Sequence, residues 1–178
     1  MTGDDQKQFF EAWLDRHRGL LFKVVRAYAR RPQDQDDLLQ EVLFQLWRSL
    51  PRYTPEVAQT TWTYRVALYT AIGWARKEVV RTRRVALFED HGHLLPQPTE
   101  PTDPRLDWLY GQIDRLGPFD RSLTVLLLDG CSYREIAEVL GITPSHVGVK
   151  LHRIKKHLIN QLKENPDDGL CSTEDDMG

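Results

Sequence analysis

Two sets of residues have the types and spacing to bind nucleic acid. The first lies in CSYREIAEVLGITPSHVGVKLHRIKKHL, from Cys131 to Leu158, where Ser145, His146, Gly148, Val149, Lys150, His152, Arg153, Lys155 and Lys156 fall between regularly spaced apolar residues. Polar groups near a helix start can hydrogen-bond base edges, and lysines further along can pair with phosphates. The second set is Arg65, Arg76, Lys77, Arg81 and Arg84 around Trp74. Cations of this kind track a sugar–phosphate backbone, and an aromatic face stacks on unpaired bases. Spacing alone also permits a solvated basic face in both places, and packing of Trp74 against a neighbouring helix. A third set, Asp37, Gln40, Glu41 and Trp47, fits a protein partner or a solvated, self-capping helix face equally well.

Catalysis is not expected. His91 and His93 have no second pair of ligands nearby in sequence, and His152 and His157 are five residues apart, a poor alignment on a helix face. No phosphate-cradling glycine loop or nucleophile motif appears. Cys131 and Cys171 are too few and too isolated for a disulfide framework or a cysteine zinc site. No metal and no cofactor are expected.

The elements that must position these residues are helical. Phe10, Trp13, Leu14, Leu21, Val24, Val25 and Tyr28 predict a helix over Phe9–Ala29, which Pro32 interrupts. Leu39, Leu43, Leu46 and Leu50 predict a second over Asp34–Leu50, with Asp34, Asp36 and Asp37 in its first turn where the dipole favours them. A third is expected over Trp62–Arg84, capped by Thr61. Its buried stripe is Tyr64, Leu68, Ala71, Ile72, Ala75 and Val79. Thr63, Thr70, Trp74, Lys77, Arg81 and Arg84 are expected on a different, basic face. Trp62 and Tyr64 read as core anchors.

Pro96, Pro98, Pro101 and Pro104 mark residues 85–104 as a linker. Beyond it, helices are expected near Leu106–Leu116, Pro118–Asp129, Ser132–Leu140 and Pro144–Lys163. Ser132 with Glu135 forms a capping box, Gly141 can close that helix, and Thr143 with Pro144 opens the next. Helix, glycine turn, helix is the geometry that lays a second helix in the major groove. The expected fold is therefore all-α, with two small helical domains joined by a Pro-rich linker. They comprise residues 1–84 and 105–163, the second a helix-turn-helix, and residues 164–178 are expected to form an acidic disordered tail.

The formal net charge of −2 conceals segregation. Residues 62–84 hold six basic side chains and one acid, and residues 130–163 hold six and two. Residues 85–129 hold three basic side chains and eight acids, and residues 164–178 hold six acids and no base. Two basic islands between acidic stretches suggest two anion-binding surfaces. No apolar run approaches the ~20 residues of a membrane span. Met1–Lys7 lacks an apolar signal core. A cytoplasmic protein without membrane insertion is expected.

In combination these segments resemble the extracytoplasmic-function (ECF) group of bacterial sigma factors, roughly over Phe9–Leu162. DQDDLLQEVLFQLWRSL is similar to that family's polymerase-binding helix, TTWTYRVALYTAIGWARKEVVRTRR to its −10 helix, and DGCSYREIAEVLGITPSHVGVKLHRIKKHL to its −35 reading domain. The resemblance implies an initiation factor that binds core RNA polymerase and recognises −10 and −35 promoter elements. Asp37, Gln40, Glu41 and Trp47 would meet the clamp helices of the largest polymerase subunit. Arg65, Trp74, Arg76, Lys77, Arg81 and Arg84 would hold −10 DNA, with the loop Arg52–Thr61 beside the strand. The face from Ser145 to Lys156 would hold the −35 duplex. An anti-sigma partner is implied as well. The chain departs from the usual pattern at Tyr69 and Gly73, where many members have Asn and Asp, and at Gly148 and Val149, where many have a basic residue and Ser. The competing reading is a free-standing helix-turn-helix regulator, which would need neither the polymerase-binding helix nor the basic aromatic one.

Overall fold

The computed structural model describes residues 3–86 and 103–164, and every regular element in them is helical. The order is α1 Gly3–Tyr28, α2 Pro32–Ser49, a 3-10 turn Leu50–Arg52, α3 Gln59–Ala86, α4 Pro104–Arg115, α5 Pro118–Leu128, α6 Tyr133–Leu140 and α7 Pro144–Glu164. Most of the expected linker and nearly all of the acidic tail lie outside the described residues.

Several helix starts fall earlier than the periodicity predicts. α1 begins at Gly3, because its polar first turns carry no apolar signal to read. α2 begins at Pro32, whose fixed φ suits a first helical position, and Arg31 precedes it without a side-chain cap. Thr61 does not cap α3. The helix starts at Gln59, and Thr61 is a buried residue of its first turn. Asp103, one residue before α4, accepts a hydrogen bond from the Arg105 N–H and ends the proline-rich stretch with a proper cap.

Helices α1 to α3 pack around Val24, Leu38, Val42, Leu46, Tyr64 and Leu68, all nearly inaccessible. Helices α5 to α7 pack around Leu123, Leu126, Ile136, Val147 and Leu151. The two bundles do not stand apart: α1 lies against α4 and α5, and α3 lies against α5 and α6, so the buried residues form one continuous cluster. Helix α5 is the keystone. Its residues Arg121 to Leu126 are all buried in succession, as in a helix covered on every side.

A buried arginine in that position needs partners, and helix ends supply them. The final carbonyls of α1 lack intrahelical donors. Arg121 donates from one terminal nitrogen to the Ala27 carbonyl at 3.2 Å and from the other to the Leu116 carbonyl at 3.2 Å. It also forms an ion pair with Asp114 and lies over the Tyr28 ring. One guanidinium thus closes the C-terminal ends of α1 and α4, where the helix dipole favours positive charge.

Candidate nucleic-acid interface

The helix-turn-helix forms from local signals that agree. Ser132 Oγ accepts from the Glu135 N–H, and the Glu135 carboxylate accepts from the Ser132 N–H at 2.7 Å. Those bonds hold the Glu135 carboxyl below the ordinary carboxylate range. Gly141 closes α6 at φ +67°, a conformation that other residues adopt only with strain. Thr143 Oγ1 then accepts from the His146 N–H at 3.2 Å and starts α7. Val147, Leu151 and Ile154 of α7 are buried, which turns the opposite side outward.

That outward side carries Ser145, His146, Val149, His152, Arg153, Lys155 and Lys156, all exposed. Gly148 and Lys150 differ. A Cβ on Gly148 would meet the Tyr133 ring at 3.6 Å, so the space beside this glycine is bounded by an aromatic side chain of α6. Lys150 is half-buried, with its ammonium 2.9 Å from Asp120 and near the Phe119 ring. It is tied back to α5.

The α3 residues are divided. Arg76 and Lys77 are exposed, and Trp74 is half-buried against the core. Arg65 is not free: it donates to the Glu138 carbonyl of α6 at 2.6 Å. Thr63, expected on the basic face, is fully buried instead. It donates to the Gln59 carbonyl and accepts from the Trp13 indole N–H at 2.9 Å. Periodicity misplaced it because an aromatic knot of Phe9, Trp13, Tyr53 and Trp62 covers that end of α3. Arg81 and Arg84 belong to the last turns of α3, where the side chains lie outside the described part.

On α2, Asp37, Gln40 and Glu41 are exposed along one face, and Glu41 accepts from Gln45. Trp47 is about one-third exposed and packs edge-on against Phe10. Phe44 was missed by sequence reasoning. It is 57% exposed and follows Gln40 and Glu41 by four and three residues, so it adds an apolar group to that face. The available signal was its place outside the leucine stripe. Between α2 and α3 runs an open groove of about 540 Å³, with Asp37 and Glu41 from α2 and Tyr69, Trp74 and Lys77 from α3 among its lining. Both departures from the usual −10 pattern, Tyr69 and Gly73, line it. The surface proposed for polymerase therefore adjoins the one proposed for DNA.

Among the described residues no three histidine, cysteine or acidic side chains converge as a metal site would need. No helix among them is long and apolar enough to cross a membrane.

Comparison with known proteins decides the family. Residues 13–80 match the model of sigma-70 region 2, and residues 107–158 match that of sigma-70 region 4. The chain belongs to the ECF sigma factors. It is 26% identical over 171 residues to the ECF RNA polymerase sigma factor SigE of Mycolicibacterium smegmatis, aligning over 92% of this chain and 66% of that protein, just under two thirds of its length. It is 23% identical to the ECF RNA polymerase sigma-E factor of Haemophilus influenzae, over 88% of this chain and 89% of that one. In fold it is similar to CnrH, solved in complex with the cytosolic domain of CnrY (TM-score 0.66, 21% identity, 89% of this chain and 90% of that one). It is also similar to the sigma factor RpoE of Bartonella quintana, solved with the anti-sigma factor NepR (TM-score 0.67, 18% identity, 89% and 97%). In this ECF sigma factor, region 2 covers most of α1 to α3 and region 4 covers most of α4 to α7.

Proposed function

We propose that this sigma factor docks on core RNA polymerase through Asp37, Gln40, Glu41 and Trp47 and presents two DNA-binding faces to one promoter. The acidic face of α2 suits the clamp helices of the largest subunit. Trp74, Arg76 and Lys77, with Arg65, Arg81 and Arg84, hold the −10 strand by stacking and backbone contacts. Ser145, His146, Gly148, Val149, Lys150, His152, Arg153, Lys155 and Lys156 hold the −35 duplex, with base reading concentrated at the N-terminal end of α7. No chemistry is asked of the chain itself; catalysis stays with the polymerase. The working compartment is the cytoplasm, where that partner acts. An anti-sigma protein is the expected regulator, since both solved relatives named above were captured with such a partner or a cytosolic domain.

The observation that carries this reading is the capped α6–Gly141–α7 unit, whose second helix exposes Ser145, His146, Val149, His152, Arg153, Lys155 and Lys156 on one side. Reconstituted holoenzyme tests it on a promoter selected from genomic fragments. Arg153→Ala should weaken −35-dependent initiation by about 1–3 kcal/mol, roughly five- to 150-fold, with core association unchanged. Tight, specific duplex binding by the chain alone, with no effect on polymerase, would instead favour the free-standing regulator.

A further inference from the structure

We propose that the chain latches itself shut without any inhibitor, and that Asp129 is the latch. Asp129 follows α5 directly, and its backbone N–H already bonds to the Val125 carbonyl. Its carboxylate is free to reach elsewhere, and it reaches the other half of the molecule twice. One oxygen accepts from the Lys23 ammonium of α1, the other from the Tyr64 hydroxyl of α3. A single side chain of the C-terminal bundle thereby holds two helices of the N-terminal bundle. At 18% exposure the carboxylate is largely shielded, whereas the Lys23 side chain is half exposed, so water competes for the ion pair but only partly for the carboxylate.

Other contacts across the same seam share this polar character. The Tyr28 hydroxyl donates to the Pro118 carbonyl at 2.6 Å and shares a hydrogen bond with Ser122. Arg26 pairs with Asp107 at 3.0 Å. Arg65 donates to the Glu138 carbonyl. Water satisfies every one of these groups when the seam parts, so opening leaves none of them orphaned. Opening also exposes the apolar residues that the two bundles bury together around α5, so the latch adds to that cost and its loss makes the seam part more readily.

The consequence for DNA rests on the function proposed above; the closed geometry does not. Arg65, assigned to the −10 strand, is engaged by α6. The first helix of a helix-turn-helix crosses the DNA backbone when the second enters the groove. Here that first helix is packed on α3. The closed arrangement therefore sets the two DNA-binding helices against each other, and polymerase or promoter must work against the latch to separate them.

Asp129→Asn isolates the latch. It is nearly isosteric, and Asn is well suited to the turn before Gly130, which has φ +81°. Tyr64→Phe removes only the hydroxyl and leaves the buried ring in place. Spin labels at Arg48→Cys on α2 and Ile159→Cys on α7, both exposed, report the separation in the full chain with Cys131 and Cys171 replaced by Ser. Neither polymerase nor DNA is added. Without a latch mutation, the distance distribution should show one short population. Asp129→Asn should raise the separated fraction about tenfold, and Tyr64→Phe should raise it less, with helix content unchanged by circular dichroism. A parent chain already separated, or a distribution that neither variant moves, would overturn the latch. Either result would leave the family reading untouched, and failure with polymerase would leave the latch untouched.

Discussion

His17 is buried in α1 beside Trp13, and its Nδ1–H donates to the Trp13 carbonyl at 2.9 Å. Loss of hydration holds its pKa below the ordinary 6.5. The carbonyl bond pulls upward, and Arg16 adds repulsion. The folded pKa thus lies below the unfolded one, and the unfolded chain takes up the proton first. The stability contributed by neutral His17 is complete above about pH 6.5 and declines as pH falls through the lower folded value. Denaturant unfolding between pH 7.5 and 5 should show this loss, and His17→Gln should flatten it. Gly148 gives a prediction of opposite sign. A methyl there meets Tyr133 at an ordinary contact distance, and alanine is about 1 kcal/mol better than glycine in a helix. Gly148→Ala should raise the thermal midpoint; a fall would show that the Tyr133 contact is tighter than the structure gives. Neither residue was fully legible in the sequence. Gly148 was visible as an odd glycine in a helix, but its aromatic neighbour lies fifteen positions earlier. His17 falls on the predicted stripe, four residues after Trp13 and four before Leu21, but a histidine there carries no apolar signal of its own, so its burial was not read.

At the scale of elements, the α6–α7 unit was readable almost to the residue. Its determinants are local: a reciprocal cap, a left-handed glycine and a second cap. Ser132→Ala removes half of the capping box and should lower stability by about 1 kcal/mol, measured by denaturant midpoint at pH 7. The same substitution should shrink the pH dependence near the acid range. The Glu135 carboxyl is depressed chiefly by its Ser132 bonds, and that contribution is present above the unfolded carboxylate value and lost as pH falls through the folded one. Helix α3 was read less well. Its apolar stripe was correct at Tyr64, Leu68 and Ala71. Its start and the burial of Thr61 and Thr63 depend on Trp13, Tyr53 and Trp62 converging from separate segments. Helical spacing within one segment carries no information about such convergence.

For the molecule as a whole, the sequence suggested two helical units on a proline-rich linker, and charge segregation pointed to two basic surfaces. It did not disclose that the units share a core through α5, or that Arg121 closes helix ends from both. An arginine in a helix reads as surface until its carbonyl partners are seen. Leu126 sits at the centre of this arrangement, and Leu126→Ala should cost about 2–5 kcal/mol. Because the core is continuous, that loss should appear in unfolding signals from both bundles, which Trp13 and Trp108 fluorescence can follow separately in single-tryptophan variants. The acidic face of α2, the basic face of α3 and the outward face of α7 serve one function only if all three meet the same transcription complex. The most direct measurement is promoter-specific transcription by purified core polymerase with and without this chain. The account predicts that the chain co-purifies with core and shifts RNA start sites to a defined promoter set. A chain that fails to bind core, or binds it and leaves the start sites where they were, would contradict it.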